Sequence, residues 1–152
     1  MLSLSDYIDK VIYFISSDQR FISVEIERDA PINTDVNRMP WIGVYRKSRA
    51  LSPSKLGASI CESWNGSLEL GFVIQAYGYS QNGKDAADEL DVIVTNLLSL
   101  FNTIKSKTEL RTRVVGITCE YSYSQQTAKS MSDSASSVFF PECLLLLQVE
   151  TR

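Results

Sequence analysis

The chain has 152 residues, of which 44% are hydrophobic, with no histidine, three cysteines and a formal net charge of −3. A chain of this length is typical of one domain that buries about two thirds of the surface of its unfolded state, so we expect residues 1–152 to form a single domain. Without histidine it can build neither Ser-His nor Cys-His catalysis, nor a His-ligated zinc site. The small acidic net charge argues against nucleic-acid binding over the whole surface, which needs a basic excess.

The cysteines and the first residues indicate a reducing compartment and no membrane. Cys61, Cys119 and Cys143 are far apart and odd in number, so neither a disulfide framework nor a thiolate metal site is predicted. We expect small buried apolar residues instead. Residues 1–9 carry acids where a signal peptide carries a basic region, and no apolar run approaches the roughly 20 residues that span a bilayer. We therefore expect a protein that is made and used in solution.

The first third of the chain predicts one helix and two strands. Apolar residues at helical spacing, with Ser3 or Ser5 as the N-cap, predict a helix of about three turns: Leu4, Ile8, Val11, Ile12 and Ile15. Alternation over residues 22–27 predicts a half-buried strand, and the turn-forming residues of 28–40 predict a long loop. The aromatic and β-branched residues 41–47 predict a second strand, which residues 48–57 interrupt.

A hairpin and a long helix are predicted next. Residues 58–64 and 67–79 are expected to pair around Asn65-Gly66, since Asn-Gly tolerates the positive φ angles of a type I′ turn. After a polar turn at residues 80–83, the apolar spacing changes to that of a helix of about 20 residues. Its apolar stripe consists of Ala87, Leu90, Ile93, Val94, Leu97, Phe101 and Ile104.

Two strands are predicted to close the chain. Residues 113–123 alternate, and one side carries Val115, Ile117, Cys119, Tyr121 and Tyr123. The serine-rich residues 124–137 predict a mobile loop, and the apolar residues 138–149 predict a strand that is central or covered. The order of elements predicts an α+β fold: a single mixed, largely antiparallel sheet with two main helices packed on one face, plus a β-hairpin and mobile loops.

Two motifs could carry chemistry, and each has an ordinary structural explanation. Ser52 and Lys55 match S-x-x-K, in which the lysine deprotonates a serine nucleophile, but Pro53 favours a loop over the helix N-terminus that this chemistry needs. An acidic cluster could hold a divalent cation, but the helix dipole also favours acids at a helix start: Asp85, Asp88, Glu89 and Asp91. We therefore predict that the chain is not an enzyme and holds no metal or cofactor.

The distribution of charge is uneven along the chain. No acid lies between Asp35 and Glu62, and five basic residues do: Arg38, Arg46, Lys47, Arg49 and Lys55. A second basic stretch covers residues 105–113, whereas acids concentrate in the N-terminal third and at residues 85–91. Such a chain can associate with its own copies, basic surface to acidic surface, in a head-to-tail contact that closes into a ring. An ordinary mixed surface is the alternative.

Several segments together resemble a known protein family. They are residues 40–45 (PWIGVY), Leu56-Gly57, Trp64, residues 68–77 (LELGFVIQAY) and residues 83–91 (GKDAADELD). With the order of elements, which extends the likeness over most of the chain, they resemble the tail terminator (tail-completion, head-to-tail joining) proteins of long-tailed bacteriophages. The serine-rich stretch at residues 124–137 is longer than this family's core fold leads us to expect.

This resemblance implies a structural virion protein at the tail–neck junction, present in the host cytoplasm during assembly. Such proteins form a hexameric ring on the last ring of tail-tube subunits, stop tube growth and present a surface to the head or neck protein, and DNA passes through the lumen. Residues 46–55 would form an arm for contacts with the tube or a neighbour. Together with the charge pattern, this gives six candidate partner-binding residues: Arg46, Lys47, Arg49, Lys55, Asp85 and Asp88.

This interpretation leads to one expectation about the lumen and leaves two alternative functions. If Lys47 and Arg49 lined the lumen, they would contact passing DNA in a salt-sensitive way. A head-completion or neck adaptor that contacts the portal is the first alternative function. A small Ser/Lys or metal-dependent hydrolase is the second.

Overall fold

The computed structural model describes residues 3–33, 40–51, 66–76, 83–105, 112–127 and 137–151. The helices are α1 (Leu4–Ser17) and α2 (Gly83–Lys105), and a short 3-10 turn covers Gln19–Phe21. The strands are β1 (Glu25–Arg28), β2 (Trp41–Leu51), β3 (Gly66–Gln75), β4 (Thr112–Thr127) and β5 (Ser137–Thr151).

The five strands form one open sheet in the order β1-β2-β3-β5-β4. β1 pairs with β2 in parallel, and the other three pairs are antiparallel. The predicted α+β fold with a single mixed, largely antiparallel sheet is therefore confirmed. β1 and β4 are the two edge strands.

Local sequence explains where α1 begins. The Ser3 hydroxyl accepts a hydrogen bond from the Asp6 backbone N–H at 3.1 Å, and the Asp6 carboxylate accepts one from the Ser3 N–H at 3.3 Å. This reciprocal capping box satisfies two N–H groups that the helix leaves unbonded. The hydrogen bond from Ser3 lowers the pKa of Asp6. The predicted helix is confirmed, and Ser3 is its cap.

Both helices pack against one face of the sheet, here called the helix face. α1 contributes Tyr7, Ile8, Val11 and Ile15, and α2 contributes Ala86, Leu90, Ile93, Val94, Leu97, Leu100 and Phe101. The central strands supply the opposing side of this core: Ile42, Val44, Leu68, Leu70, Phe72, Ile74, Cys143, Leu145, Leu147 and Val149. The Phe72 and Phe101 rings meet at 5.0 Å between centroids. The predicted stripe of α2 is confirmed from Leu90 to Phe101, whereas Ala86 is the buried alanine and Ala87 is half-buried. The side chain of Ile104 lies outside the described part of the chain.

The predicted hairpin around Asn65-Gly66 is wrong in its partner strand. β3 pairs with β2 along its whole length and with β5 on its other side, so neither side is available to residues 58–64, which lie outside the described residues. β2 also continues past Lys47, the predicted end, to Leu51 through an irregularity between Arg46 and Ser48. The sequence does not show this continuation, because backbone pairing with β3 carries the strand through the polar Ser48 and Arg49.

Residues 124–127 were predicted to lie in a mobile loop, and this is also wrong. They belong to β4 and pair with β5, for example Ser124 with Phe140. Residues 128–136 of the same predicted loop lie outside the described residues. Backbone pairing with β5 extends the strand through these polar residues.

Two further strand predictions need correction. A register shift between Val114 and Gly116 puts Val114, not Val115, in the helix-face row, and Val115 is 53% exposed. At the other edge, β1 begins only at Glu25, because Ile22 terminates the 3-10 turn and is 87% exposed.

Candidate interaction surface

The face of the sheet away from the helices, here called the outer face, consists of alternate residues of all five strands. At one end, two rows run straight across the sheet: Glu25, Trp41, Gln75, Glu142 and Ser122, then Glu27, Gly43, Val73, Leu144 and Glu120. The two rows at the other end are Ser48, Glu69, Gln148 and Gly116, then Ala50, Ser67, Glu150 and Arg113. This register sets which charges lie together.

Trp41 makes part of the outer face a second small core. It is fully buried with Ala30 and Val73, and its indole Nε1 donates a hydrogen bond to Glu27 Oε2 at 3.2 Å. The indole lies directly over Gly43, where a Cβ would collide with the ring and with the Ala30 carbonyl oxygen. Glycine is therefore required at this position of β2.

The first two rows carry four carboxylates, here called the acidic corner: Glu25 and Glu27 on the edge strand β1, and Glu142 and Glu120 on β5 and β4, three and four strands away. None of the ten described residues in these rows is basic. Gln75, on β3, lies beside Glu142 and is only 4% exposed. Its Nε2 donates to Glu142 Oε2 at 2.7 Å, and its Oε1 has no donor among the described residues. The corner thus presents acceptors and negative charge.

At the far rows of the outer face, acids and bases neutralise one another. Lys47 Nζ lies 3.4 Å from Glu69 Oε1, and Arg113 Nη2 donates to Glu150 Oε2 at 2.8 Å. A shallow groove of about 210 Å³ lies between these two ion pairs. It is lined by Ser48, Ser67, Leu68, Glu69, Val115, Gln148 and Glu150.

The predicted basic residues are not a single surface. Arg46 Nε lies 3.5 Å from Asp29 Oδ1, beyond the end of β1, whereas Lys47 reaches the outer face. Arg49 is exposed, stands in the helix-face row with Leu68, and makes no ion pair with any described residue. Lys47 and Arg49 therefore lie on opposite sides of the sheet, which argues against both lining one channel wall. Lys55 and the S-x-x-K serine, Ser52, lie outside the described residues.

The acids of α2 lie at the same end of the molecule as the acidic corner. Asp91 of α2 lies near Tyr121 of β4, which pairs with Cys143. Partial burial is the main cause of the raised pKa of Tyr121, and the negative charge of Asp91 adds to it. Asp85 and Asp88, one to two turns earlier, are exposed. Within the described part of the chain, no three potential metal-ligating side chains are grouped as a metal site would require.

Charge is therefore separated along the strand direction. The length of β3 measures the distance between the two ends. Ile74 lies in the row of Tyr121 at the acidic end, and Leu68, six residues earlier, lies in the row of Arg49 at the basic end. At about 3.4 Å per residue, roughly 20 Å separates the acidic end from the basic end, which carries Arg46, Lys47, Arg49 and Arg113. The uneven charge of the sequence thus becomes an axis in the fold, although Asp29, Glu69 and Glu150 neutralise part of its basic end.

The cysteines differ in their surroundings. Cys143 is buried under α2, and burial raises the pKa of its thiol to about 12. Cys119 is exposed on the edge strand β4, contrary to the prediction that it is buried. Cys61 lies outside the described residues.

Comparison with known proteins identifies no relative: no protein-family model and no curated protein matches the chain. Among the helices of the described chain, none is both long enough and apolar enough to cross a bilayer.

The sequence did not single out the acidic corner. Glu25, Glu27, Glu120 and Glu142 come from three strands, and only the register places them in two neighbouring rows at one end of the sheet. One signal was available, since Gln75 interrupts an apolar stretch of β3 that is buried on both faces.

Proposed function

We propose that the chain is a structural virion protein, a tail terminator of a long-tailed bacteriophage. In this role it forms a ring, hexameric by the resemblance, on the end of the tail tube, stops polymerisation and offers an attachment surface to the head or neck protein. The observation that carries the proposal is the charge axis. A subunit with an acidic end and a basic end about 20 Å apart can pair head to tail with its copies.

The fold also suits a ring subunit. β4 is an edge strand of 16 residues, and β5 is its only partner among the described strands. Long edge strands are commonly covered by another chain or blunted, and here a bulge at Val115 interrupts only the first part. Edge pairing and charge complementarity would together define the neighbour's position.

The decisive experiment adds the purified protein to assembling tail tubes and measures tube length by electron microscopy. We expect the protein to be monomeric or weakly associated at low concentration, to form six-fold rings at tube ends, and to halt elongation. An unchanged length distribution would contradict the proposal. Pull-downs against purified tail tube and purified portal separate the terminator from a head-completion or neck adaptor, which would bind the portal.

A further inference from the structure

We propose that two copies of this chain pair through their β4 edges, antiparallel and about a two-fold axis at Ile117, so that Arg113 of each copy lies opposite Glu120 of the other. The inference goes beyond the proposed function, because it concerns the protein away from the tail tube. A two-fold contact closes on itself, so this pair differs from the head-to-tail contact of the ring and covers the β4 edge of the free protein instead.

The outward side of β4 is open to another strand. β4 covers Thr112–Thr127, and among the described strands it pairs only with β5. The side chains of residues 118–122 are all exposed, on both faces of the sheet. Edge strands that avoid pairing commonly carry proline or lysine, and β4 contains neither. Its bulge at Val115 lies near the start of the strand, so most of the edge remains available.

The bulge makes Arg113 and Glu120 suitable partners. In an antiparallel pair, directly opposite residues lie on the same face of the sheet. Arg113 and Glu120 are an odd number of positions apart, which would put them on opposite faces, but the extra residue Val115 brings both to the outer face. The register that places Arg113 opposite Glu120 puts Ile117 opposite its own copy, and the symmetry repeats the ion pair at the other end.

Both charges are accessible for this contact. Glu120 is exposed and makes no ion pair with any described residue. Arg113 is also exposed, and its Nη2 donates to Glu150 of its own chain at 2.8 Å. A guanidinium has several N–H donors, so Arg113 can bind a second carboxylate as well. Opposite charges directly across a strand pair stabilise the pairing, whereas like charges destabilise it.

The same register covers apolar side chains on the helix face of β4. Val114 and Ile117 pack against the core but are only partly buried, and Tyr121 is 54% exposed. In the proposed pair, Ile117 meets its own copy and Val114 meets Cys119 of the other chain. Burial of this row adds a hydrophobic contribution to the backbone pairing.

The other edge strand, β1, is the competing occupant and is less suitable. It has four residues, Glu25–Arg28, of which two are glutamates. Beside Glu120 these would add like charges, and Arg28 is already bonded to Asp9 and Ser5. A second β4 offers a longer pairing and the cation that Glu120 lacks.

The first test is sedimentation equilibrium of the full chain, which should show a monomer–dimer equilibrium. Glu120→Arg and Arg113→Glu should each weaken the dimer by about tenfold or more, because each places like charges opposite one another at both ends of the pair. The double variant restores opposite charges and should recover most of the wild-type constant. Glu120→Gln should also weaken the dimer, whereas Asp88→Asn, the same loss of charge at an exposed site on α2, should not.

A cross-link tests the register itself. Cys119 is exposed and lies opposite Val114 of the other copy in the proposed pair, so Val114→Cys in a Cys61→Ser background should give a covalent dimer with copper phenanthroline as the oxidant. Positions 114 and 119 of one chain are too far apart along the strand to be joined to each other. Val115→Cys, at the bulge, is the control and should give much less dimer on a non-reducing gel.

A wild-type protein that stays monomeric at its highest soluble concentration would overturn the proposal. A double charge variant no better than either single one would also overturn it, as would a Val114→Cys protein that cross-links no more than its control. The tube-length assay fails or succeeds separately, so a protein that caps tubes without forming this dimer would refute only the β4 contact.

Discussion

Arg28, the last residue of β1, is bonded to Asp9 of α1 through its Nη1, while its Nη2 donates to Ser5 Oγ at 2.7 Å. Its Nε donates in turn to Asp29 Oδ2 at 3.1 Å, at a residue with a φ of 53°. One guanidinium therefore connects the first helix, the edge strand and the turn that follows it. Partial burial lowers the pKa of Arg28, but the hydrogen bonds that its guanidinium donates to the two carboxylates outweigh this effect and leave the pKa raised.

We expect Arg28→Ala to destabilise the protein by about 1 kcal/mol, the upper end for exposed pairs, because three contacts are lost together. Urea unfolding followed by circular dichroism measures this. Arg20→Ala is the control, since among the described residues the Arg20 side chain bonds only to Asp18, two positions earlier in the chain. An equal loss in both variants would show that Arg28 does not connect α1 to the sheet.

Gly43→Ala should destabilise the protein by about 1–3 kcal/mol, the cost of overpacking a filled site. The new methyl group would collide with the Ala30 carbonyl oxygen, a backbone atom, and with the Trp41 ring. Gly116→Ala is a matched control on another strand, because its methyl group would meet only the flexible end of Gln148, 3.0 Å away. Thermal unfolding of both variants tests this; a Gly43→Ala protein as stable as Gly116→Ala would show that the Ala30 segment moves aside easily.

Much of the fold could be predicted from sequence because its core residues recur at two regular spacings, that of a helix and the alternation of a strand. The helical spacing of α2 locates its buried stripe apart from Ala86 and Ala87, and alternating residues of the central strands supply the opposite side of the core. The extensions of β2 to Leu51 and of β4 to Thr127 could not be predicted, since polar residues there remain in strands through backbone pairing with a distant segment. The long pairing of β4 with β5 depends on both segments, so the local sequence of either strand does not predict its length.

The candidate site was predicted less well for a related reason. Arg46, Lys47 and Arg49 are adjacent in sequence, but a bulge sends Lys47 to the outer face while Arg49 lies in a helix-face row. The acids that neutralise Arg46 and Lys47 come from other elements, at Asp29 and Glu69. Counting charges along the chain locates a basic segment but does not show which charges remain available to a partner.

Asp18 should make stability depend on pH in the acid range. Hydrogen bonds from the Arg20 side chain and backbone lower the pKa of Asp18 to about 2. Since the folded pKa lies below the unfolded value of about 3.9, the contribution is complete above pH 4 and is lost as the pH falls through 2. Asp18→Asn should flatten the unfolding free energy between pH 4 and 2, measured in urea.

The Asn substitution keeps a side-chain oxygen for the Arg20 N–H, so it isolates the charge from the cap. Arg20→Gln removes the main cause of the lowered pKa and should flatten the same pH range. A pH dependence that both variants retain would assign it to other carboxylates.

Cys119 and Cys143 should differ sharply in thiol reactivity. Cys119 is exposed on β4, while Cys143 is buried and its thiol has a pKa of about 12, so almost none of it is the reactive thiolate near neutral pH. In a Cys61→Ser background, iodoacetamide at pH 8 should label Cys119 first and label Cys143 only after urea unfolds the chain. Peptide mass spectrometry identifies each site. Rapid labelling of Cys143 in the folded protein would mean that α2 opens from β5 often, because this helix covers the strand.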